Sequence, residues 1–189
     1  MPIAWIVGGA VVAAILLLIA MYNGLVRLKI QAQNGWADID VQLKRRHDLV
    51  PNLVETVKGY AAHEQSTLEA VITARNQAVA AQGPGAKAKA EDVLTGAVSK
   101  LFALAESYPQ LRAVEGFTSL QGSLREIEDA IGSARQYYNA VVRDLNTKVA
   151  QFPNNIVAGL FGFQPREFFE LSSAAEREAP KVNFTTPAA

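Results

Sequence analysis

Both histidines of this chain lie in one charged stretch, DIDVQLKRRHDLVPNLVETVKGYAAHE, which runs from Asp38 to Glu64. The same stretch holds five carboxylates and four basic side chains. Histidine and carboxylate side chains are common zinc ligands and common general acids and bases. The stretch is therefore the first place to test for a metal centre or a catalytic site.

The spacing of the two histidines argues against both kinds of chemistry. His63-Glu64 begins like the zinc-protease helix motif, but Thr67 occupies the position of the second histidine ligand. His47 lies 16 residues before His63, and that distance is about 24 Å along a helix. We therefore predict two solvated histidines and no metal site.

Motifs for phosphate binding and for nucleophilic catalysis are also missing. Gly83-Pro84-Gly85-Ala86-Lys87 lacks the spacing and the Ser/Thr of a phosphate loop, so it predicts a turn. No nucleophile elbow is present. The absence of cysteine excludes disulfides, thiol catalysis and thiolate metal sites. These features favour a protein that is not an enzyme and that needs no cofactor.

The basic run Lys44-Arg45-Arg46 could contact anionic lipid or nucleic acid. Asp40 and Asp48 flank it, and the formal net charge of the chain is zero. A solvated or internally paired helix face is the favoured interpretation, and no nucleic-acid partner is expected.

The N-terminal segment predicts a membrane anchor. Ile3 to Met21 are 19 consecutive residues without a charge, and the first charged side chain is Arg27. Such a helix is about 28 Å long, close to the hydrocarbon thickness of a bilayer. No basic residue precedes it, as a cleaved signal peptide would require, and Trp5 and Tyr22 lie at its ends. Residues 1–23 are therefore interpreted as a transmembrane anchor in the lipid bilayer.

Basic residues follow the anchor, at Arg27, Lys29 and Lys44–Arg46, whereas the other side carries only the chain's own amine. The positive-inside rule then places the N-terminus outside and the rest of the chain in the cytoplasm.

Within the anchor, small residues four apart permit close helix approach, although they also occur by chance, so self-association stays open. These residues are Gly9, Ala10, Ala13 and Ala14.

Apolar residues recur every three or four positions after the anchor, which predicts helices. A first helix is expected to continue from the anchor to about Ala81, a second to cover Ala86–Ser107, and a third to cover Phe117–Phe152. A short helix is expected at Asn155–Phe161. The predicted fold is all-α, with a transmembrane helix followed by an antiparallel three- to four-helix bundle.

The chain is accordingly divided into an anchor at residues 1–23, a bundle domain at 24–179, and a poorly ordered tail at 180–189. The apolar groups Leu160–Phe163 and Phe168-Phe169 are expected to cap the open end of the bundle, with a partner or lipid contact as the alternative.

One charged residue falls on the apolar stripe of the first helix. Steps of three and four from Leu43 reach Arg46 and then Val50. A charge at a buried position requires a partner, and we expect that partner to be Glu128. The polar face of the third helix continues with Arg135 and Asn139.

Pro51 lies five residues after Arg46 and has no N–H, so the carbonyl of His47 loses its helical donor. A full break would make Val50 a poor N-cap, so a kink in one long helix is favoured.

Several long segments carry a family resemblance, namely YNGLVRLK, NGWADIDVQLKRRHDLVPNLVETVKGYAAHE, ARNQA, the run from YPQLRAVEGF to GLFGF, and APKVNF. They resemble the LemA family of bacterial membrane proteins. The resemblance implies an N-terminal transmembrane segment, an antiparallel helical bundle, and an N-out, C-in topology in the inner membrane. It supplies no catalytic residues.

The favoured function is a membrane-anchored, non-enzymatic scaffold or adaptor that presents a cytoplasmic bundle at the inner membrane, in envelope or membrane organisation. Its protein partners cannot be identified from these residues. The alternative is an enzyme or enzyme regulator that uses a polar pocket between helices, lined by convergent Arg, Glu and Asn side chains.

Overall fold

The computed structural model describes residues 2–170, and within them it contains helices and no strands. The predicted tail at 180–189 lies outside the described residues. The all-α prediction is confirmed. The helices are α1 (Pro2–Lys58), α2 (Gln65–Ala80), α3 (Pro84–Glu106), α4 (Pro109–Arg112), α5 (Glu115–Ala150) and α6 (Asn154–Phe161).

The first helix joins the apolar N-terminal segment directly to the folded domain. Within residues 2–170, α1 contains the one segment that is long and apolar enough to cross a membrane. Residues 3–20 of this segment are exposed along their whole length, and from Met21 onward one face of α1 becomes buried. No turn or linker separates the two parts.

The prediction that this helix continues to about Ala81 is wrong. α1 ends at Lys58, and the chain reverses through residues 59–64 before α2 begins. Leu53 and Val57 of α1 and Val71 of α2 enter the same hydrophobic cluster. Because both helices bury one stripe in a shared core, the three-four spacing continues across the turn and hides it.

The other helix ends lie close to the predicted positions. Pro84 starts α3, consistent with its fixed φ and missing N–H at a first helical turn. α3 begins two residues earlier than predicted, and so does α5.

The long helices alternate in direction. α5 returns along α1, since Trp36 contacts Tyr138 at 5.6 Å between ring centroids and Arg46 lies near Glu128. α3 runs in the direction of α1. Gly35 lies close to α5: a Cβ there would be 3.2 Å from the ring of Tyr137, which would have to shift slightly, and 3.4 Å from the Cα of Tyr138.

The segment after α6, residues 163–170, has no regular secondary structure and lies against α5. Asn146 binds both the N–H and the carbonyl of Arg166, at 2.8 and 2.9 Å. Asn139 binds both groups of Phe169, at 2.9 and 3.0 Å. Asn139 and Asn146 are two helical turns apart, which is about 10 Å along α5. Arg166 and Phe169 are three residues apart, which is also about 10 Å when the chain is extended. The two spacings match, so α5 holds this segment in an extended form.

The expectation that the C-terminal apolar residues cap the open end of the bundle needs correction. Phe169 is fully buried against Trp36, part of the way along the α1–α5 pair. Phe161 and Phe163 contact Tyr22, next to the apolar segment. The contacts of Phe161 and Phe163 with Tyr22 lie near the end of α5, beside the apolar segment of α1, whereas Phe169 packs next to Tyr138 and Asn139, in the second half of α5 but before its end.

Candidate functional site: a buried charge cluster where four helices meet

Arg46 lies inside the domain and is 4% exposed. Its Nη1 donates to Glu91 Oε2 at 3.2 Å, and its Nη2 donates to Thr95 Oγ1 at 2.8 Å. Both partners come from α3, one helical turn apart, which places them side by side. Glu91 is 1% exposed, so this ion pair is removed from water almost completely.

His47 shares the same carboxylate. Its Nε2 lies 2.6 Å from Glu91 Oε1, and the residue is 5% exposed. An ionised carboxylate only accepts hydrogen bonds, so Nε2 is then the donor. The prediction that His47 is solvated is therefore wrong, because α3 covers this face of α1. His63 is exposed, as predicted.

Glu128, the expected partner of Arg46, lies at the edge of the cluster. Its Oε2 is 3.4 Å from Arg46 Nη2, and its side chain is 43% exposed. The more strongly buried carboxylate is Glu91. Asn139 lies about 16 Å beyond Glu128 along α5 and binds the backbone of Phe169. It is therefore too far from Arg46 to belong to the cluster. Arg135 lies between Glu128 and Asn139 on the same helix.

Pro51 is accommodated inside α1, which continues to Lys58. The His47 carbonyl, four residues before the proline, cannot receive its usual helical hydrogen bond. Arg75 of α2 supplies a donor instead, from Nε at 3.2 Å. A kink at Pro51 remains a prediction.

Residues 46 and 47 are therefore the place where the four long helices are joined by polar contacts. α1 supplies the arginine and the histidine, α2 supplies Arg75, α3 supplies Glu91, and α5 supplies Glu128. A buried charge without partners is strongly unfavourable, so this set of contacts is sensitive to the register of every helix.

A cleft of ≈ 300 Å³ opens beside His47. Its charges are largely paired with one another: Lys44 donates to Asp48 at 2.7 Å, and Lys87 binds Asp40. The Lys44 hydrogen bond holds the pKa of Asp48 below its ordinary value. The lining residues are Asp40, Leu43, Lys44, His47, Asp48, Arg75, Val79 and Lys87.

The histidine–carboxylate pair has the groups that general acid–base catalysis uses. Glu91, however, is also bound to Arg46. Among residues 2–170, no group of three or more His, Asp or Glu side chains is placed to hold a metal ion. The geometry is that of a structural polar cluster with one imidazole edge at a small opening.

The small residues of the N-terminal segment pack against no other part of residues 2–170. Gly9, Ala10, Ala13 and Ala14 are all exposed, and a Cβ on Gly9 would meet nothing within 4 Å.

Three members of the cluster were not expected from the sequence: Glu91, which at 1% exposed lies deeper than Arg46 at 4%, and the partly buried Arg75 and Thr95. Glu91 could have been found from the stripe of α3, because a step of three back from the buried Leu94 reaches it. Steps of three and four from buried residues also reach Arg75, between Val71 and Ala78, and Thr95, three residues before Val98. Both side chains are only partly buried, and the spacing does not say which residue of another helix each would bind.

The fold and the exposed apolar segment define the class of this protein: an all-helical protein in which, among residues 2–170, one N-terminal helix is apolar enough to cross a membrane and continues into a folded helical domain. The family model of the LemA family matches residues 35–184, so the chain belongs to the LemA family.

Three curated relatives are two magnetosome proteins and a LemA protein by name. Magnetosome protein MamQ 2 of Paramagnetospirillum magneticum is 28% identical over 193 residues, covering 88% of this chain and 71% of that protein. Magnetosome protein MamQ of Magnetospirillum gryphiswaldense is 26% identical over the same shares. Protein LemA of Metamycoplasma hominis is 26% identical over 140 residues, covering 72% of this chain and 63% of that protein.

Proposed function

We propose that this protein is a non-enzymatic scaffold or adaptor that holds a helical bundle in a fixed position at the cytoplasmic face of a bacterial inner membrane. The observation that carries the proposal is the continuity of α1 from its apolar segment to Lys58. A continuous helix transmits position and orientation, whereas a flexible linker would not.

The charge cluster supports the same proposal. It ties α2, α3 and α5 to residues 46 and 47 of the helix that enters the membrane. A surface on any of these helices is then held at a defined height above the bilayer. The relatives named as magnetosome proteins support a role in the organisation of a cellular structure, which we take to be a membrane because of the apolar segment of α1.

The cytoplasmic placement rests on the basic residues after the span, including Arg27 and Lys29. Because the chain has no cysteine, one added thiol reports its side of the membrane. Val93→Cys, at an exposed position of α3, should resist an impermeant thiol reagent in intact cells and after outer-membrane permeabilisation. Labelling before the inner membrane is opened would reverse the topology.

The scaffold itself is tested by loosening the connection to the membrane. A short Gly-Ser insertion between Ala20 and Met21 separates the exposed segment from the packed part of α1. In the parent protein, a photo-crosslinker at Val93 should capture the same neighbouring proteins in repeated experiments. In the variant with the insertion between Ala20 and Met21, these crosslinks should be lost. The same insertion between Gln82 and Gly83, in the α2–α3 connection, is the control for insertion alone.

If Val93 and other exposed bundle positions capture no protein reproducibly in the parent chain, the scaffold proposal is wrong. The alternative, an enzyme or enzyme regulator, would use the cleft beside His47. A small ligand that raises the melting temperature of the parent protein but not of His47→Gln would favour that alternative.

A further inference from the structure

Outside the N-terminal segment, four strongly exposed apolar side chains lie close together in the sequence, on and beside α6. These side chains are 53–74% exposed: Phe152, Ile156, Leu160 and Phe161. Phe152, Ile156 and Leu160 are spaced by four residues, and the last two lie on one side of α6. The opposite side of α6, with Val157 and Ala158, is buried. α6 therefore packs through one face and leaves a second apolar face open.

This surface lies at the level where α1 leaves its apolar segment. Val157 and Ala158 share a hydrophobic cluster with Met21, the last residue of that segment. The ring of Phe161 lies 4.8 Å from the ring of Tyr22. Aromatic side chains at this level are typical of the membrane–water interface.

The charges around the surface fit the same position. No charged residue occurs between Lys148 and Arg166. The Lys29 Nζ lies 5.8 Å from the centroid of the Phe163 ring, and Lys148 Nζ lies beside Gly24, since a Cβ there would be 2.6 Å from it. An uncharged apolar surface bordered by amines matches the apolar-to-phosphate transition of a lipid leaflet.

We propose that α6 and the preceding Phe152 are a second membrane contact, in which these apolar side chains enter the interface of the same bilayer that α1 crosses. The domain is then attached at two points. A single span permits rotation and tilt, and a second contact beside it restricts both. The amines of Lys29 and Lys148 are placed to meet lipid phosphates.

The full-length protein, reconstituted into phosphatidylcholine vesicles with phosphatidylglycerol, provides the test. Single cysteines at Ile156 and Leu160 carry a fluorophore, and lipids with a nitroxide near the headgroup end of the acyl chain act as quencher. Each label should lose on the order of half its fluorescence, as expected for side chains at the headgroup–acyl boundary. Val93→Cys, which is exposed to a similar extent as Ile156 at 55%, is the matched control and should lose little.

Leu16→Cys, within the exposed apolar segment of α1, reports the span separately. Quenching at Leu16 without quenching at Ile156 and Leu160 would overturn the proposal and leave the span intact. Protection of Ile156 from a water-soluble quencher that grows with the protein-to-lipid ratio, without lipid quenching, would identify a second copy as the occupant and also overturn it.

A second variant separates insertion from simple proximity. Leu160→Asp changes an exposed side chain, so the folded domain should keep its melting temperature in detergent. In vesicles, a label at Phe152→Cys should lose much of its lipid quenching when Leu160→Asp is present, because a carboxylate is unfavourable at this depth. Unchanged quenching would show that this face does not enter the lipid. Vesicles of phosphatidylcholine alone should give weaker quenching if the amines bind anionic headgroups.

Discussion

Arg75 of α2 donates from Nε to the carbonyl oxygen of His47 on α1, at 3.2 Å. This is the carbonyl that Pro51 leaves without a donor in its own helix. A tertiary hydrogen bond thus replaces a missing helical one, and the proline is tolerated because α2 lies beside it.

This relationship predicts energetic coupling between Arg75 and Pro51. Arg75→Met should lower the free energy of unfolding by about 1 kcal/mol, because a partly buried carbonyl loses its donor. In a Pro51→Ala background the helix can supply its own N–H, so the same change should cost about 1 kcal/mol less. Denaturant unfolding of the four proteins in detergent measures the coupling; purely additive effects would contradict this role of Arg75.

The buried cluster predicts that removal of Arg46 is costly. Arg46→Met leaves Glu91 buried beside His47 alone, and stability should fall by about 3 kcal/mol. Glu128→Gln, at a partly exposed position, should cost less than about 1 kcal/mol.

Two double variants distinguish the carboxylates. Arg46→Met with Glu91→Gln should recover much of the loss, because no unpaired carboxylate stays buried and the amide can still accept from His47. Arg46→Met with Glu128→Leu should recover little. The reverse order of recovery would make Glu128 the dominant partner, and a neutral Arg46→Met would contradict the whole cluster.

Tyr138 predicts a loss of stability in alkali. Burial raises the pKa of its phenol above the ordinary value of 10.0, and its hydroxyl donates to the Glu167 carbonyl. The folded protein therefore keeps this proton where the unfolded chain releases it. The stabilisation is complete below pH 10.0 and is lost as the pH rises through the folded-state value. Tyr138→Phe should flatten this part of the stability profile, whereas the exposed Tyr137→Phe should not.

The asparagine contacts predict local rather than global opening. Asn139→Asp keeps an acceptor for the Phe169 N–H but removes the donor to its carbonyl, so docking of residues 163–170 should weaken by about 1–2 kcal/mol. Hydrogen exchange should quicken at Phe169 while the amides of α3 stay protected. Gln136→Glu, an exposed amide-to-acid change on the same helix, controls for charge; equal acceleration in both would contradict the prediction.

Whether two copies associate through the apolar segment is left open by the sequence, and a single added cysteine tests it. If they associate, the small residues should form the interface. Ile6→Cys lies on the same side of α1 as Gly9 and Ala13, and oxidation in membranes should join two copies. Gly9→Leu with Ala13→Leu should reduce this crosslink, while Val11→Leu with Ile15→Leu should not. An unchanged crosslink pattern would show that the small residues are not the interface.

The sequence by itself determined the helical class, the membrane segment and most helix ends. These features depend on local properties: uninterrupted apolar length, three-four periodicity, and prolines at helix starts such as Pro84. Local spacing also singled out Arg46 as a charge on a buried stripe, because the period of a helix fixes which side chains share a face.

The tertiary structure alone decided what surrounds those side chains. The partner of a buried charge depends on which helix packs beside it, and so Glu91 rather than Glu128 provides the deeper carboxylate and His47 is covered rather than solvated. The reversal after Lys58 was hidden for a related reason: the stripes of α1 and α2 face one core, so their spacing continues through the turn. Contacts between residues far apart in the chain, such as Arg75 with His47 and Asn139 with Phe169, cannot be predicted from the spacing of residues in the sequence. Each contact needs only one polar side chain at the position along its helix where the other segment packs.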